Sequence, residues 1–156
     1  MELETGTLNL DDWIIDNGYV DDFNQFLKDV CNIDANVSIA TVNDVFGKKN
    51  LLVEKHKNGL LPFSLVASGG MKAAELFCFW NKRFKEITFL CLDDFADTLH
   101  HTTALAIIKI LKRYDSMQVV FTTRNTSLID NDIMRPDCYM ILSDGKLKSF
   151  ADSSNG

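Results

Sequence analysis

Two polar segments of this sequence directly follow apolar runs and have residue types suited to binding a metal and a nucleotide. Asp93 and Asp94 follow the run at 87–92, and the segment at 122–125 (Thr-Thr-Arg-Asn) ends the run at 117–122. Ligands of open parallel sheets bind beyond the carboxyl ends of the strands. There the first carboxylate can hold hydrated Mg²⁺ and the second can orient or deprotonate a water. Adjacent acids also occur where a strand simply ends in a loop, and this dipeptide alone does not decide between the two interpretations.

A third candidate segment is Ser68-Gly69-Gly70, which precedes a helix predicted at 71–84. Unobstructed backbone N–H groups, a hydroxyl and the positive end of a helix dipole suit an anion, and Lys72 adds a positive charge in the first turn. The predicted ligand is a phosphate. Taken alone, however, the tripeptide is more typical of a flexible turn before a helix.

The cysteines and histidines do not have the spacing of a zinc site, which needs ligands at short, regular intervals. Cys78 and Cys91 lie in apolar runs, where cysteine is typically a small buried hydrophobe. The sequence shows neither a signal-peptide pattern nor an apolar run of membrane-spanning length. A cytoplasmic protein with reduced thiols is expected. The full set of cysteines and histidines is Cys31, Cys78, Cys91, Cys138, His56, His100 and His101.

Length and charge narrow the class of protein further. The 156 residues carry 16 Lys+Arg and 22 Asp+Glu, a formal net charge of −6, and 46% of the residues are hydrophobic. This length suits one domain with its own core. The negative charge argues against a nucleic-acid coat protein or a polybasic membrane-binding protein, because both need net positive charge.

Hydrophobic periodicity predicts an α/β fold with one partial parallel sheet. Residues 1–36 are expected to be a lead-in with a helix at 22–30, and residues 37–66 a β-rich region with a hairpin turn at 47–49. Strands at 87–92, 117–122 and 138–142 with a helix at 102–114 predict a parallel sheet covered on both faces. The last expected elements are a return strand at 146–150 and a frayed tail at 151–156. The 67–150 segment would form the core of a single domain spanning 1–156.

The order of these segments resembles the carboxyl-terminal half of an ABC-type ATPase head. It is most similar to the AAA ATPases of the OLD and abortive-infection-like group, which are related to the chromosome-maintenance ATPases. In this comparison Ser68, Gly69 and Gly70 match the signature loop, which contacts the terminal phosphate of a nucleotide held by the opposing subunit. Asp93 matches the Walker B aspartate, and Asp94 takes the position of the catalytic glutamate. The resemblance implies a P-loop NTPase-like fold.

Further segments extend the resemblance to about residues 37–150. Residues 95–99 with His100 are similar to the D-loop, which implies a dimer contact for His100. Residues 122–125 match the switch loop, in which Arg124 would sense the γ-phosphate. Residues 126–128, Asn131 and 135–138 also look like this group.

Three departures limit what the resemblance implies. Asp94 is one methylene shorter than the usual glutamate, so its reach to an attacking water is reduced and slow hydrolysis is expected. Arg124 stands where a histidine is expected, and an arginine neither accepts a hydrogen bond nor titrates. The sequence also contains no G-x-x-x-x-G-K-[ST] P-loop, the element that cradles the α and β phosphates.

The resemblance therefore implies the distal half of an ATPase head, whether an expressed piece, a truncated reading frame or one part of a split protein. ATP and Mg²⁺ would bind weakly or not at all to this chain alone. The implied partners are the missing amino-terminal lobe, a second head in a homodimer and an effector protein, with phage defence as the suggested setting. Neither a membrane nor nucleic acid is indicated.

The absence of the P-loop strand has a predicted structural consequence. In the related fold that strand lies between the strands at 117–122 and 138–142, so an apolar strand edge would be exposed here. Either these two strands pair directly, or two copies of the chain exchange strands.

Two other functions fit parts of the sequence. A degenerate ABC-like module that binds a partner protein without catalysis would explain both Asp94 and Arg124. A metal-dependent nuclease using Asp93, Asp94 and Asp97 fits less well, because nuclease acids usually converge from several elements.

Overall fold

A computed structural model of the protein describes residues 9–45, 47–97 and 99–153. Within these ranges the chain is a mixed α/β protein with three small sheets: an antiparallel sheet in the order β1-β2-β3, a parallel pair β4-β5 and a hairpin β6-β7. The helices are α1 (Leu10–Asp16), α2 (Val20–Cys31), α3 (Phe63–Val66), α4 (Gly69–Asn81), α5 (His101–Leu111) and α6 (Phe150–Ser153). The strands are β1 (Val37–Asp44), β2 (Gly47–His56), β3 (Gly59–Pro62), β4 (Phe89–Leu92), β5 (Gln118–Phe121), β6 (Met140–Ser143) and β7 (Lys146–Ser149).

Helix α2 confirms the helix predicted at 22–30 and is slightly longer at both ends. Its apolar residues recur every three or four positions, so Phe23, Leu27 and Val30 are buried along one side. The helix ends at Asn32, whose φ of 54° is the left-handed conformation that often terminates helices. Because α2 contacts both α4 and α5, it joins the two halves of the chain.

The antiparallel sheet confirms the β-rich region but corrects the predicted turn. Gly47 pairs with Asp44, so residues 47–49 belong to β2 rather than to the turn at 47–49 that the sequence suggested. Gly47 has a φ of 122°, a conformation that residues with a side chain rarely adopt. Gly47 is therefore needed immediately after the turn rather than within it. For this reason the sequence pattern predicts the turn a few residues too late.

The side chain of Asn24 on α2 holds the start of β1. Its Nδ2 donates to the carbonyl oxygen of Val37 at 2.8 Å, and the Val37 N–H donates to Asn24 Oδ1 at 3.0 Å. The amide of one side chain thus satisfies both backbone groups of Val37, as a neighbouring strand would.

Replacing Asn24 by alanine should lower the free energy of unfolding by about 1–3 kcal/mol, because two partly buried backbone groups lose their partners. Urea unfolding of the wild type and the variant measures this difference. Asn131→Ala, at an exposed position, is the matched control and should stay within about 0.5 kcal/mol. Equal losses in both variants would contradict the role of Asn24.

The unit β4-α5-β5 confirms the predicted strand–helix–strand order and the parallel pairing, with Leu92 opposite Phe121. The prediction that these strands are covered on both faces is wrong. Leu90 is buried, whereas Phe89 on the opposite face is 56% exposed and Cys91 is exposed. The same holds for β5, where Val120 is 44% exposed. Only one face of this two-stranded sheet packs on the apolar cluster formed with α5.

The strand predicted at 138–142 begins later, at Met140, and pairs only with β7 among the described residues. Direct pairing of this strand with the strand at 117–122 is therefore not observed. The reason is local: Asp144 and Gly145 have φ values of 51° and 71°, the geometry of a two-residue hairpin turn that favours pairing with the next strand. Phe150, predicted to end the return strand, instead begins α6. Residues 151–153 of the expected frayed tail are therefore helical, and 154–156 lie outside the described residues.

Two apolar clusters form the interior. The first contains residues of α1, α2, β1, β2, α3 and α4, including the fully buried Phe23 and Phe63. The second contains Val30 of α2 together with Leu90 of β4, Ile107 of α5 and other residues of that half. The second cluster thus positions the edge at which β4 and β5 end.

Candidate functional site

Asp93, Asp94 and Arg124, the residues predicted to bind the metal, orient the water and sense the γ-phosphate, lie together where β4 and β5 end. The N–H of Thr122 donates to the carbonyl oxygen of Leu92 at 3.0 Å, and the N–H of Phe95 donates to the carbonyl oxygen of Thr122 at 2.7 Å. These bonds continue the parallel ladder past the last strand residues. They fix the loop after β4 against the segment after β5.

The hydroxyl group of Thr122 connects Asp93 and Asp94. It donates to Asp93 Oδ1 at 2.5 Å and accepts a hydrogen bond from the Asp94 N–H at 2.9 Å. The sequence predicts Thr122 in the switch loop but gives no signal for this bridge. The pairing could be inferred only from the expectation that both strands end at the same edge.

The loop after β4 has a strained backbone. Asp94 and Ala96 have φ values of 48° and 69°, in the left-handed region that costs a residue with a side chain about 1–2 kcal/mol. Ala96 is only 6% exposed and packs in the second apolar cluster with Phe95. Such strain persists where the surrounding structure imposes it, and it is frequent at binding and catalytic sites.

Arg124 binds two of the acids in this loop. Its Nη2 lies 3.3 Å from Asp94 Oδ2, and its Nε lies 3.4 Å from Asp97 Oδ2. The hydrogen bond and charge of Asp94, followed by the charge of Asp97, raise the pKa of Arg124 above its ordinary value. Because the Arg124 side chain is 79% exposed, water screens both ion pairs and leaves the guanidinium accessible to another anion.

The structure places Ser68, Gly69 and Gly70 at the start of α4, as predicted. Ser68 caps the helix, with its Oγ accepting from the N–H of Met71 at 3.3 Å. A Cβ at Gly69 would meet nothing within 4 Å, and one at Gly70 would meet only Ser68 Oγ at 3.9 Å. Packing therefore does not require these glycines, and the backbone at this end of α4 is open.

This loop is not joined to the Asp93 loop. Within the described ranges, no hydrogen bond or ion pair connects Ser68, Gly69 or Gly70 to Asp93, Asp94 or Arg124. Gly70 instead contacts α2, where Cys31 Sγ lies 3.7 Å from its carbonyl oxygen. The predicted ligand residues consequently form two separate groups in one chain.

Lys72 lies close to acidic residues that the sequence pattern does not reveal. It lies near Glu75, one turn along α4. Burial, and then the adjacent Asp11 of α1, raise the pKa of Glu75 to about 8. Glu75 is 7% exposed, and its Oε1 has no hydrogen-bond partner among the described residues. The helical spacing of α4 predicted a buried face but not a buried acid on it.

His100 is exposed at the residue that precedes α5, and its side chain makes no capping hydrogen bond. His100 therefore contributes to the start of α5 through its backbone, with its carbonyl oxygen accepting from the Ala104 N–H. The adjacent His101 instead has Nδ1 3.0 Å from Ser127 Oγ. Ser127 Oγ also donates to Asn125 Oδ1, which ties the segment after Arg124 to the start of α5.

Among the thiols, Cys78 is buried, Cys31 is half-buried, and Cys91 and Cys138 are exposed. Burial raises the pKa of Cys78 to about 11 and also raises that of Cys31, so neither is activated as a nucleophile. The prediction of a buried hydrophobe is confirmed for Cys78 and wrong for Cys91, which lies on the open face of β4. In the described part of the chain, no three or more His, Cys, Asp or Glu side chains are arranged to hold a metal ion.

A surface cavity of about 380 Å³ lies between α2 and α5. Its walls include Phe26, Ile110 and Tyr114 together with the basic residues Lys109 and Arg113. None of the residues predicted to bind metal or phosphate lines this cavity.

No protein-family model matches the chain, and no curated protein is significantly similar to it. Among the described helices, none is both long enough and apolar enough to cross a membrane.

Proposed function

We propose that this chain supplies the Walker B and switch-loop half of an ABC-type ATP site in a P-loop NTPase-like head, and that a P-loop from another segment or chain completes the site. One observation carries the proposal: the Thr122 hydroxyl holds the Asp93 carboxylate and the Asp94 backbone together at the carboxyl end of two parallel strands. The acids and the switch residue therefore converge at the sheet edge where nucleotides bind in open α/β folds.

In this function each residue has a separate role. Asp93 would bind hydrated Mg²⁺ through its oxygens, which are the ligands that this ion prefers. Asp94 would orient the attacking water, and Arg124 would leave its acidic partners to contact the γ-phosphate. Ser68, Gly69, Gly70 and Lys72 would contact a nucleotide held by a second head, which agrees with their separation from Asp93. His100 would lie at that dimer contact.

The proposal predicts weak, Asp93-dependent binding of Mn²⁺·ATP, with Mn²⁺ replacing Mg²⁺ so that water-proton relaxation reports binding. The wild type should bind with a dissociation constant of about 1 mM and should not turn over ATP, because no P-loop holds the α and β phosphates. Asp93→Asn should weaken binding at least about tenfold, the loss expected when a metal ligand is removed. Asp115→Asn makes the same change at an exposed position beyond the other end of β5, and should bind like the wild type.

Two results would contradict the proposal. Equal Mn²⁺·ATP binding by the wild type and Asp93→Asn would exclude Asp93 as the metal ligand. Micromolar binding by the chain alone would contradict the requirement for a separate P-loop.

The position of Arg124 favours one alternative, a non-catalytic ABC-like module that binds a partner protein. Arg124 pairs with Asp94 at the position where the resemblance expects the catalytic acid, and so occupies one of the carboxylate oxygens that would orient a water. In this alternative no Mn²⁺·ATP binding is expected in any of the three proteins, so the same titration separates the two functions.

A further inference from the structure

The hydrogen-bond pattern of β1 leaves part of its outer edge open. Lys55 of β2 donates to the Asn36 carbonyl oxygen at 3.3 Å, so even-numbered residues of this segment face β2. The odd-numbered residues direct their N–H and C=O groups away from β2, and those of Val37 bind Asn24. The backbone N–H and C=O groups of Ile39, Thr41 and Asn43 have no hydrogen-bond partner among the described residues.

This edge also lacks the features that normally prevent strand pairing. Residues 37–43 contain no charged residue, no proline and no glycine. The opposite edge strand of the same sheet, β3, is four residues long and ends in Pro62. Apolar side chains are exposed along β1, with Ile39 at 45% and Val42 at 38%. A long, uncharged edge strand of this kind is a template for another strand.

We propose that the β1 edge binds the β1 edge of a second copy of this chain, antiparallel and about a two-fold axis at Thr41. Thr41 then faces Thr41 of the second copy, and Ile39 faces Asn43 in two symmetric pairs. Each of these three pairs exchanges two backbone hydrogen bonds, which uses every open group on both strands. The dimer joins the two three-stranded sheets into one.

The strand is self-complementary in this register. Ala40 faces Val42 of the second copy, so small apolar side chains meet, and no like charges oppose one another. Thr41 Oγ1 already donates to Asn50 Oδ1 at 2.8 Å, and the two-fold axis extends this contact into a polar row across four strands. The open edge ends at Val37, because Asn24 already binds the backbone groups of that residue. At the opposite edge of the sheet, the short strand β3 limits the pairing of further strands. The assembly is therefore a closed dimer rather than a filament.

Sedimentation equilibrium across a wide concentration range tests the proposal. The wild type should be a dimer that dissociates on dilution, and Thr41→Pro should be a monomer throughout. Proline removes the outward N–H of residue 41 but no β1–β2 bond, so the fold should remain, as circular dichroism would show. Thr41→Val loses the same Thr41–Asn50 side-chain bond but keeps the backbone N–H, and should dimerise like the wild type. A wild-type monomer at every concentration, or a Thr41→Pro dimer as strong as the wild type, would overturn the proposal.

Disulfide cross-linking tests the register independently, in a background with Cys91→Ser and Cys138→Ser. Residue 41 of one copy should lie about 5.5 Å from residue 41 of the other, measured between Cα atoms, so Thr41→Cys should cross-link on oxidation. Residues 43 of the two copies should lie about 14 Å apart, so Asn43→Cys should remain uncross-linked. Equal cross-linking of both variants would overturn the two-fold axis at Thr41.

Discussion

Glu75→Gln is expected to make the protein markedly more stable than the wild type at pH 8.5, with little difference at pH 5. The buried Glu75 carboxyl faces Asp11, and its pKa is raised from 4.5 to about 8 by burial first and by Asp11 second. Glutamine has nearly the same shape, is neutral at every pH and can donate to Asp11. The variant therefore removes the ionisation while keeping the contact.

The sign follows from proton binding. Between pH 4.5 and about pH 8 the folded protein keeps the Glu75 proton that the unfolded chain has released. Stability of the wild type therefore falls as the pH rises through this window, by up to about 1.4 kcal/mol per pH unit from this group. Above about pH 8, the pKa of Glu75 in the folded protein, the loss of stability is complete. The stabilities of the wild type and of Glu75→Gln then change with pH in parallel again.

Urea unfolding at pH 5, 7 and 8.5 measures the difference between the two proteins. Glu86→Gln makes the same change at an exposed position, and its stability should follow the wild type at all three values. A Glu75→Gln curve parallel to the wild type across the whole range would show that Glu75 does not hold its proton in the folded state.

Phe63→Ala is expected to cost about 3–5 kcal/mol of unfolding free energy, the range for truncating a buried aromatic residue. Phe63 is fully buried at the start of α3, and its ring meets that of Phe23 edge to face, with centroids 5.3 Å apart. Truncation removes this contact between α3 and α2 and leaves a cavity in the first apolar cluster. The melting temperature should fall by at least about 6 °C.

Leu65→Ala is the matched control, because Leu65 belongs to the same short helix but is 80% exposed. It should change stability by less than about 0.5 kcal/mol. Similar losses in the two variants would indicate that α3 contributes through its helical conformation rather than through the packing of Phe63.

Much of the local structure could be predicted because its signals are local. The periodicity of Phe23, Leu27 and Val30 predicted α2, and the segment at 71–84, which follows the glycines and lacks both Gly and Pro, predicted most of α4. The apolar runs before Asp93 and Thr122 predicted two neighbouring strands, and their parallel pairing brought these residues together. Each of these predictions needs only a segment and its immediate flanks.

What could not be predicted depends on contacts between distant segments. The apolar run containing Phe89 and Cys91 indicated a strand covered on both faces, but hydrophobicity does not show whether a second layer is present to cover it. The protonated Glu75 depends on the approach of α1, and the Thr122 bridge depends on the exact offset between β4 and β5. Arg124 was placed correctly at a strand end, but its ion pairs arise from the turn of the Asp94 loop.

The position of α2 also determines how the molecule unfolds. One side of this helix contributes Phe23 and Leu27 to the first apolar cluster, and Val30 belongs to the second. If either half of the chain opens, α2 loses part of its support and the other half is weakened with it. Helix α4 also spans both clusters, since its Ala74 and Cys78 belong to the first and its Phe77 packs against the second. The two clusters are therefore coupled into one cooperative folding unit through α2 and α4, whereas the exposed β6-β7 hairpin can open locally without disturbing either of them.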